Sequence, residues 1–536
     1  MGEVERGLGR VLERGQALPE GAGQDGQAAF SPAEVAAITG GVLVAGRPND
    51  PAVRGAVVDS RAVRGGELFV ALPGEKVDGH DFAGAALAAG AAGVLVRSGF
   101  SGSEVFRGLE AGSRPWFAVE VDDTLRGLQD LGRQWLSIVN PLVVAVTGSN
   151  GKTTTKDLLA GILGVAGETY KNEGNLNTEI GLPLSILGMP AATRRLVLEM
   201  GMRGRGQIAG LAALARPAMG VVTNVGLVHL ELLGSQEEIA LAKRELVEAL
   251  PRNGVAVLNA DDPLVLGMAT HAPCPVVTFG LAVEPAPPSR VADGAPAYRS
   301  RGHVWADGVR DEGLFGLTAT IHLPAHEGFE VAIPLPGRHN LMNALAAAAA
   351  SWACGAGPGE IRDGLARASL SPMRGEVTVA PGGFTVVNDA YNASPASMEA
   401  AIALLASSRR PGGRVVAALA DMLELGPASR EAHFALGRTT AEAGLDAVYT
   451  TGPMGKVIAE GATAGRFAPE RVRHFASREE LAAAIRVDLA PGPNDVVLVK
   501  GSRGMGMEKV VALLLAAAAT PAGAPRPSEG SGAQCS

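Results

Sequence analysis

An α/β fold in three patterned blocks is predicted by three observations. Short apolar, β-branched runs alternate with helical segments, and the residues directly after those runs are glycine-rich or polar. The length of 536 residues is too great for one compact core and matches about three domains.

The first block, residues 31–138, contains AVVDSRAVRGGELFVAL followed by DFAGAALAAGAAGVLV, apolar runs around an Ala-rich helical segment, and predicts a small α/β unit. The second, residues 139–370, repeats run, loop and helix through LVVAV, RRLVLEM, MGVVTNV, GVAVLNA and PVVTFG. Such repetition predicts a mainly parallel sheet covered on both faces. The third, residues 371–518, repeats the scheme with FTVVNDA, GGRVVAALADM, DAVYTTG, VRHFAS and DVVLVKG, and reads as a second, independent sheet. Residues 1–30 form a flexible extension in this reading, the Pro, Gly and Ser-rich residues 519–536 a disordered tail, and Val283 to Glu312 a surface excursion.

Composition narrows the function. Acidic side chains outnumber basic ones by 55 to 47, a net charge of −8, so no diffuse positive field points to nucleic acid or an anionic membrane. Hydrophobic residues at 47% exclude wholesale disorder. Cys274, Cys354 and Cys535 are widely spaced, which argues against a disulfide framework or zinc ribbon and for a reducing compartment. With no signal-peptide core and no apolar run long enough to span a bilayer, the expectation is a cytosolic, soluble protein without a membrane span.

Directly after LVVAV comes Thr147-Gly148-Ser149-Asn150-Gly151-Lys152-Thr153-Thr154-Thr155, then the helical KDLLAGILG. Glycines let backbone N–H groups wrap an anion at the helix start, Lys152 supplies a point charge to phosphates, and the Thr153 hydroxyl is suited to magnesium. The loop reads G-x-x-G-K-T, shorter than the general phosphate loop, because Val146 stands where its first glycine would be. The competing reading is a polar turn with a chance Lys-Thr.

Further along, LVL runs into Glu199, either a metal-holding carboxylate or a strand-end side chain facing solvent. His229 follows the GVVTN strand, as a ligand or as a structural histidine. Ser235-Gln236-Glu237-Glu238 should cap a helix to about Leu250, on which Lys243 shares the apolar stripe of Ile239, Leu246 and Leu250. That position is costly unless the lysine is paired, modified, aimed into a site, or snorkels. Gly337, His339 and Asn340 precede an Ala-rich helix, and Asp389 follows a strand of the third block, where it suits ribose hydroxyls or a helix cap.

Taken together, TGSNGKTTT, the EMG of residues 199–201, NVGLVHLELLGS, Lys243, GRHNLMNALAAA and NDAYNASP resemble the Mur ligase superfamily, in order over residues 147–395. LADMLELG at 419–426, KGSRGMGME at 500–508 and VVDSRAVRGGELFVALPGEKVDGHDF are most similar to its D-alanyl-D-alanine-adding branch. The resemblance spans Ser31 to Leu515, with two departures, Ala420 and Ser394, where the pattern has Gly and Asn.

What the resemblance implies is a UDP-substrate-binding N-terminal domain, a central P-loop ATPase domain and a C-terminal Rossmann-like ligase domain. It implies ATP-dependent joining of D-alanyl-D-alanine to UDP-N-acetylmuramoyl-tripeptide through an acyl phosphate, in cytoplasmic peptidoglycan precursor synthesis. By motif match, Asp59, Ser60 and Arg61 lie near the uridine, and Asn175, Asn177 and Thr178 near the muramoyl-peptide. Gly148 to Thr154 hold the ATP phosphates, Asn340 approaches the adenine, Asp389 the ribose, and Arg374 the γ-phosphate. Thr153 and Glu199 hold one Mg2+; His229 and a carbamylated Lys243 serve a second. A monomer is expected. Alternatives are another Mur-type ligase, a folylpolyglutamate synthase, or a P-loop NTPase switch. LADMLELG and the absence of a D-N-P-R-like segment favour the dipeptide branch, and the large first block speaks against a switch.

Overall fold

The computed structural model describes residues 26–74, 76–100, 115–227, 230–281, 283 and 300–516. Its contacts divide the chain into two compact units, the second built from Gly375–Ala393, Ala401–Leu423 and the chain from Arg430. The chain first passes from one to the other at Arg374–Gly375, and Ser394–Ala400 and Glu424–Ser429 belong to the first unit again.

In the first unit, strand Leu142–Thr147 is buried at every position. Val143 and Ala145 face one core, while Val144 and Val146 face another. The same division holds for Leu196 and Leu198 against Val197, and for Ala256 and Leu258 against Val255 and Val257. Both faces of these strands are therefore dry, which is why they read as continuous apolar runs without polar alternation. Helices Lys152–Val165, His339–Ala353 and Pro358–Arg367 cover one face; Thr124–Val139, Gly181–Leu187, Gln207–Ala215 and Gln236–Glu248 cover the other.

Across this nine-stranded sheet the order is Phe329–Ile333, Leu317–His322, Ser300–Asp311, Val276–Gly280, Val255–Asn259, Met219–Val222, Leu142–Thr147, Arg195–Glu199 and Thr169–Lys171. The last seven run parallel and the first two are antiparallel additions. Leu142–Thr147 is first in the chain among the parallel strands yet lies between later ones, so the strand order reverses beside it. A crevice opens outside the carboxyl ends at such a reversal, and there the glycine loop begins.

One expectation is corrected here. The stretch Val283 to Glu312 is not a surface excursion throughout, because Ser300–Asp311 is a strand inside the sheet, paired on both sides. Only Val304 and Ala306 of it are fully buried, and register shifts at Val276/Val277 and Asp307/Arg310 break the two-residue period. Gly302 and Gly308, both at positive φ, complete the disguise.

The N-terminal sheet is ordered Val42–Ala45, Phe117–Val121, Gly93–Arg97, Leu68–Val70 and Ala56–Val57, parallel except for the first strand. Its core continues without a break at residue 138 into that of the central sheet, through helix Thr124–Val139. Asp123 caps this helix by accepting from the Arg126 N–H, and Leu128, Leu131 and Trp135 project from one face. Trp135 is fully buried, meets Phe30 edge-on at 6.5 Å and donates its indole N–H to the Met189 carbonyl at 2.9 Å. Trp135→Ala is expected to cost about 3–5 kcal/mol, read as a lowered urea midpoint.

The second unit carries a six-stranded sheet ordered Glu376–Val379, Thr385–Asp389, Val496–Lys500, Val415–Leu419, Ala447–Thr451 and Val472–Phe475, antiparallel only at its first strand. The parallel strands with intervening helices give it the Rossmann-like character expected of the third block.

Candidate active site

The glycine loop leaves the carboxyl end of Leu142–Thr147 and enters helix Lys152–Val165. Gly148 has φ of +150° and Gly151 of +80°. A Cβ on Gly148 would stand 1.9 Å from Thr223 Oγ1, and one on Gly151 would stand 2.1 Å from Asn343 Oδ1. Both positions lie at positive φ, which disfavours a side chain, and a Cβ at either would displace the Thr223 or Asn343 side chain. The turn is held from the next strand loop. Thr223 Oγ1 and Asn224 Nδ2 donate to the Asn150 carbonyl at 2.7 and 3.0 Å, and the Asn150 N–H donates to Asn224 Oδ1 at 2.9 Å. Ser149 Oγ donates to the Gly226 carbonyl and accepts from the Gly226 N–H. Gly151→Ala is expected to weaken ATP binding about tenfold or more, measured by titration calorimetry. Gly164→Ala, on the same helix with nothing within 4 Å, should leave it unchanged.

Lys152 folds over the turn, its ammonium donating to the Gly148 and Ser149 carbonyls at 2.9 and 3.0 Å. Burial pushes this ammonium below its ordinary value, the Glu199 carboxylate opposes the shift, and the Arg374 guanidinium adds to it. Thr154 is half-buried in the first helical turn beside it.

Thr153 Oγ1 donates to Glu199 Oε2 at 2.5 Å, both residues being buried. Glu199 ends its strand pointing inward, not towards solvent, and its other oxygen accepts from Asn177 Nδ2 at 2.8 Å. Asn172 braces the same carboxylate's backbone, accepting the Glu199 N–H at 2.8 Å and donating to the Leu176 carbonyl at 2.9 Å. Asn175 is exposed, and Thr178 accepts the Gly181 N–H at 3.3 Å at the start of the next helix.

Helix Gln236–Glu248 begins as its capping signal predicts, with Ser235 accepting the Glu238 N–H. Lys243 is 2% exposed among Ile239, Leu246 and Leu250, so a lysine snorkelling to bulk water does not describe it. Among the described residues its ammonium makes no hydrogen bond or ion pair. Burial pushes it well below the usual lysine value, and the Lys152 charge pushes it further. His229 lies outside the described residues.

Asn340 is buried, not a helix cap; it donates to the Pro336 carbonyl at 2.8 Å and accepts from Asn343 at 2.9 Å. Asp59 caps the short turn Ser60–Ala62 and grips Arg61 at 2.7 Å, so Arg61's bond holds the Asp59 carboxyl down at about 2. In the second unit, Asp389 accepts from Lys500 Nζ at 2.5 Å; the two face each other in register at the ends of adjacent strands. Asn172 and Asn343 in the first unit, and Lys500 in the second, each bond an expected site residue or its neighbour, and the sequence alone did not single them out. Asn172 follows Thr169–Lys171, a strand too short and too polar to announce itself.

The structure thus gathers Gly148 to Thr153, Glu199 and Asn177 in one cluster, with Lys243 and Arg374 close enough to act electrostatically through Lys152. A turn cradling phosphates, a cation over it, and a buried hydroxyl–carboxylate pair beside it can hold a nucleoside triphosphate and a divalent cation. Among the described residues no three His, Cys, Asp or Glu side chains cluster as a metal cage, and no helix is long and apolar enough to cross a membrane.

Comparison with known proteins matches residues 53–110 to the Mur ligase family catalytic domain, 146–351 to the Mur ligase middle domain, and 373–503 to the Mur ligase, glutamate ligase domain. The chain is 35% identical over 477 residues to UDP-N-acetylmuramoyl-tripeptide--D-alanyl-D-alanine ligase of Bacillus subtilis, covering 89% of this chain and 96% of that one. A crystal structure of MurF from Acinetobacter baumannii superposes with a TM-score of 0.75 at 27% identity, covering 91% of this chain and 99% of that one. MurF ligase from Thermotoga maritima, in complex with ADP, gives a TM-score of 0.68 at 30% identity over 86% of this chain and 97% of that one. With three Mur ligase domains in order and a relative matched over nearly its whole length, the chain belongs to the Mur ligase family and is most like its MurF members.

Proposed function

We infer that the protein is an ATP-dependent ligase that joins D-alanyl-D-alanine to UDP-N-acetylmuramoyl-tripeptide in peptidoglycan precursor synthesis. The observation that carries this reading is the buried Thr153–Glu199 contact beside a G-x-x-G-K-T turn, in a chain aligned over 89% of its length with a ligase of that name.

A carboxylate is a poor acyl donor, so its oxygen must first become part of a leaving group. The tripeptide's terminal carboxylate attacks the γ-phosphorus of ATP, ADP departs, and an acyl phosphate remains. The amine of D-alanyl-D-alanine then adds to the acyl carbon, and the tetrahedral intermediate expels phosphate and loses a proton. Two anions meet in the first step, so the protein's work is mainly positive charge and alignment. Lys152 reaches the β- and γ-phosphates, the turn's N–H groups cradle them, and Arg374 neutralises charge on the transferred group. Asn340 lies toward the adenine and Asp389 toward the ribose. Asp59, Ser60 and Arg61 serve the uridine end, within an N-terminal domain of residues 31–138; Asn175, Asn177 and Thr178 serve the muramoyl-peptide. Residues 139–370 make the ATPase domain and 371–518 the ligase domain.

The donor set suits magnesium: Thr153 and Glu199 offer hard oxygens, few in number, as an ion that keeps phosphates and water in its shell requires. Bound there, Mg2+ supplies charge neutralisation at the phosphates. His229 and Lys243 are assigned to a second ion. Lys243 suits this only after carbamylation, in which its neutral amine adds to the carbon of CO2, an electron pair moves to oxygen, and a proton is released. Its depressed ammonium supports that chemistry, since the neutral amine is the reactive form. The enzyme acts as a monomer in the cytoplasm. Phosphate release with UDP-muramoyl-tripeptide should require D-alanyl-D-alanine, with single amino acids giving little turnover. Equal rates with single amino acids would assign the chain to another ligase of the family.

A further inference from the structure

Asp157 lies on the helix that follows the glycine loop and is 1% exposed; its Oδ1 stands 3.6 Å from the buried ammonium of Lys156, which donates to the Asn172 carbonyl at 2.6 Å. Its Oδ1 accepts from Lys171 Nζ at 2.7 Å, and its Oδ2 accepts the backbone N–H of Ser371 at 2.7 Å. Lys171 Nζ also donates to the Ser369 carbonyl at 2.8 Å. The buried carboxylate and Lys171 therefore tie the segment after helix Pro358–Arg367 to the phosphate-loop helix.

That segment is short and stiff. Ser371 is followed by Pro372, Met373 and Arg374. Proline fixes its own φ and restricts the residue before it, and Met373 sits in the left-handed region at φ +63°. Three residues reach at most about 10 Å. Upstream, a Cβ on Gly364 would stand 2.3 Å from Ile162 Cα, so helix Pro358–Arg367 is seated against the same phosphate-loop helix. The Arg374 guanidinium is consequently held near the glycine loop, and its charge is felt by Lys152 and Lys156.

We propose that Asp157, with Lys171, is a positioning residue that registers Arg374 on the phosphate loop by anchoring Ser371. The assignment rests on the reading of Arg374 as the γ-phosphate contact. Asp157 touches no reacting atom; it sets how far Arg374 stands from Lys152. The charge matters because a carboxylate can accept from Ser371 and Lys171 at once, whereas an amide would present a donor to one of two donors.

A double-mutant cycle on kcat tests this, with ligation measured at saturating substrates in Asp157→Ala, Arg374→Ala and the double variant. A misplaced transition-state group costs about 100-fold. Asp157→Ala is expected to lose about 10- to 100-fold in kcat with the KM for UDP-muramoyl-tripeptide nearly unchanged, and the double variant to be no slower than Arg374→Ala. Losses that multiply, or a kcat for Asp157→Ala within about twofold of the parent, would overturn the proposal. Should Asp157→Ala fail to fold, Lys171→Ala, at a side chain 27% exposed, takes its place in the cycle with the same expected coupling. Full activity in Arg374→Ala would remove the γ-phosphate reading itself, a different outcome from impaired Arg374→Ala with independent losses.

Discussion

Replacing Lys243 with alanine is expected to lower kcat by about 10²- to 10³-fold or more, with no recovery in excess bicarbonate. The expectation follows from where the lysine sits. An ammonium 2% exposed, on the stripe of Ile239 and Leu246 and under the charge of Lys152, is driven towards its neutral amine. A neutral amine is what CO2 requires, and a carbamate formed there would restore a negative group beside the Lys152 charge. Incubation with ¹³C-labelled bicarbonate should give a carbamate carbon resonance in the parent that Lys243→Ala lacks. The sign of its pH dependence is fixed: the signal should grow as pH rises through the depressed lysine value and fade below it, where the amine is protonated. Wild-type turnover in Lys243→Ala would remove the carbamate from the mechanism.

Glu199→Gln should lower kcat by about 10²- to 10³-fold and move the magnesium requirement to higher concentration. The glutamine keeps the volume and one carbonyl acceptor for Asn177, while the Thr153 hydroxyl can turn to accept from the new amide. Folding should survive, with a melting temperature within a few degrees of the parent, so the loss isolates the negative charge. A rate equal to that of the parent across a magnesium titration would show that the carboxylate does not hold the ion.

What the sequence revealed follows from which physical signals are local. Leu142–Thr147 and Val255–Asn259 were legible because strands buried on both faces need unbroken apolar runs, and the glycine loop because backbone wrapped round an anion needs glycine at set positions. Lys243 was legible because a lysine in the apolar stripe of a capped helix contradicts its surroundings. Ser300–Asp311 was not, since two bulges and two positive-φ glycines erase its alternation. Asn172, Asp157 and Lys500 were hidden for another reason. Each acquires its meaning from a partner brought by the fold: Glu199 for the first, Ser371 for the second and Asp389 for the third. No spacing rule connects such pairs. Arg61 shows the converse, because its partner Asp59 is two residues away and the pair is set by local geometry.

The most direct test is to supply UDP-muramoyl-tripeptide labelled with ¹⁸O in its terminal carboxylate, together with ATP and D-alanyl-D-alanine, and to weigh both products. The account predicts a pentapeptide product and one ¹⁸O transferred to phosphate for each amide formed. Phosphate released without label, or at the same rate when the tripeptide is withheld, would contradict it.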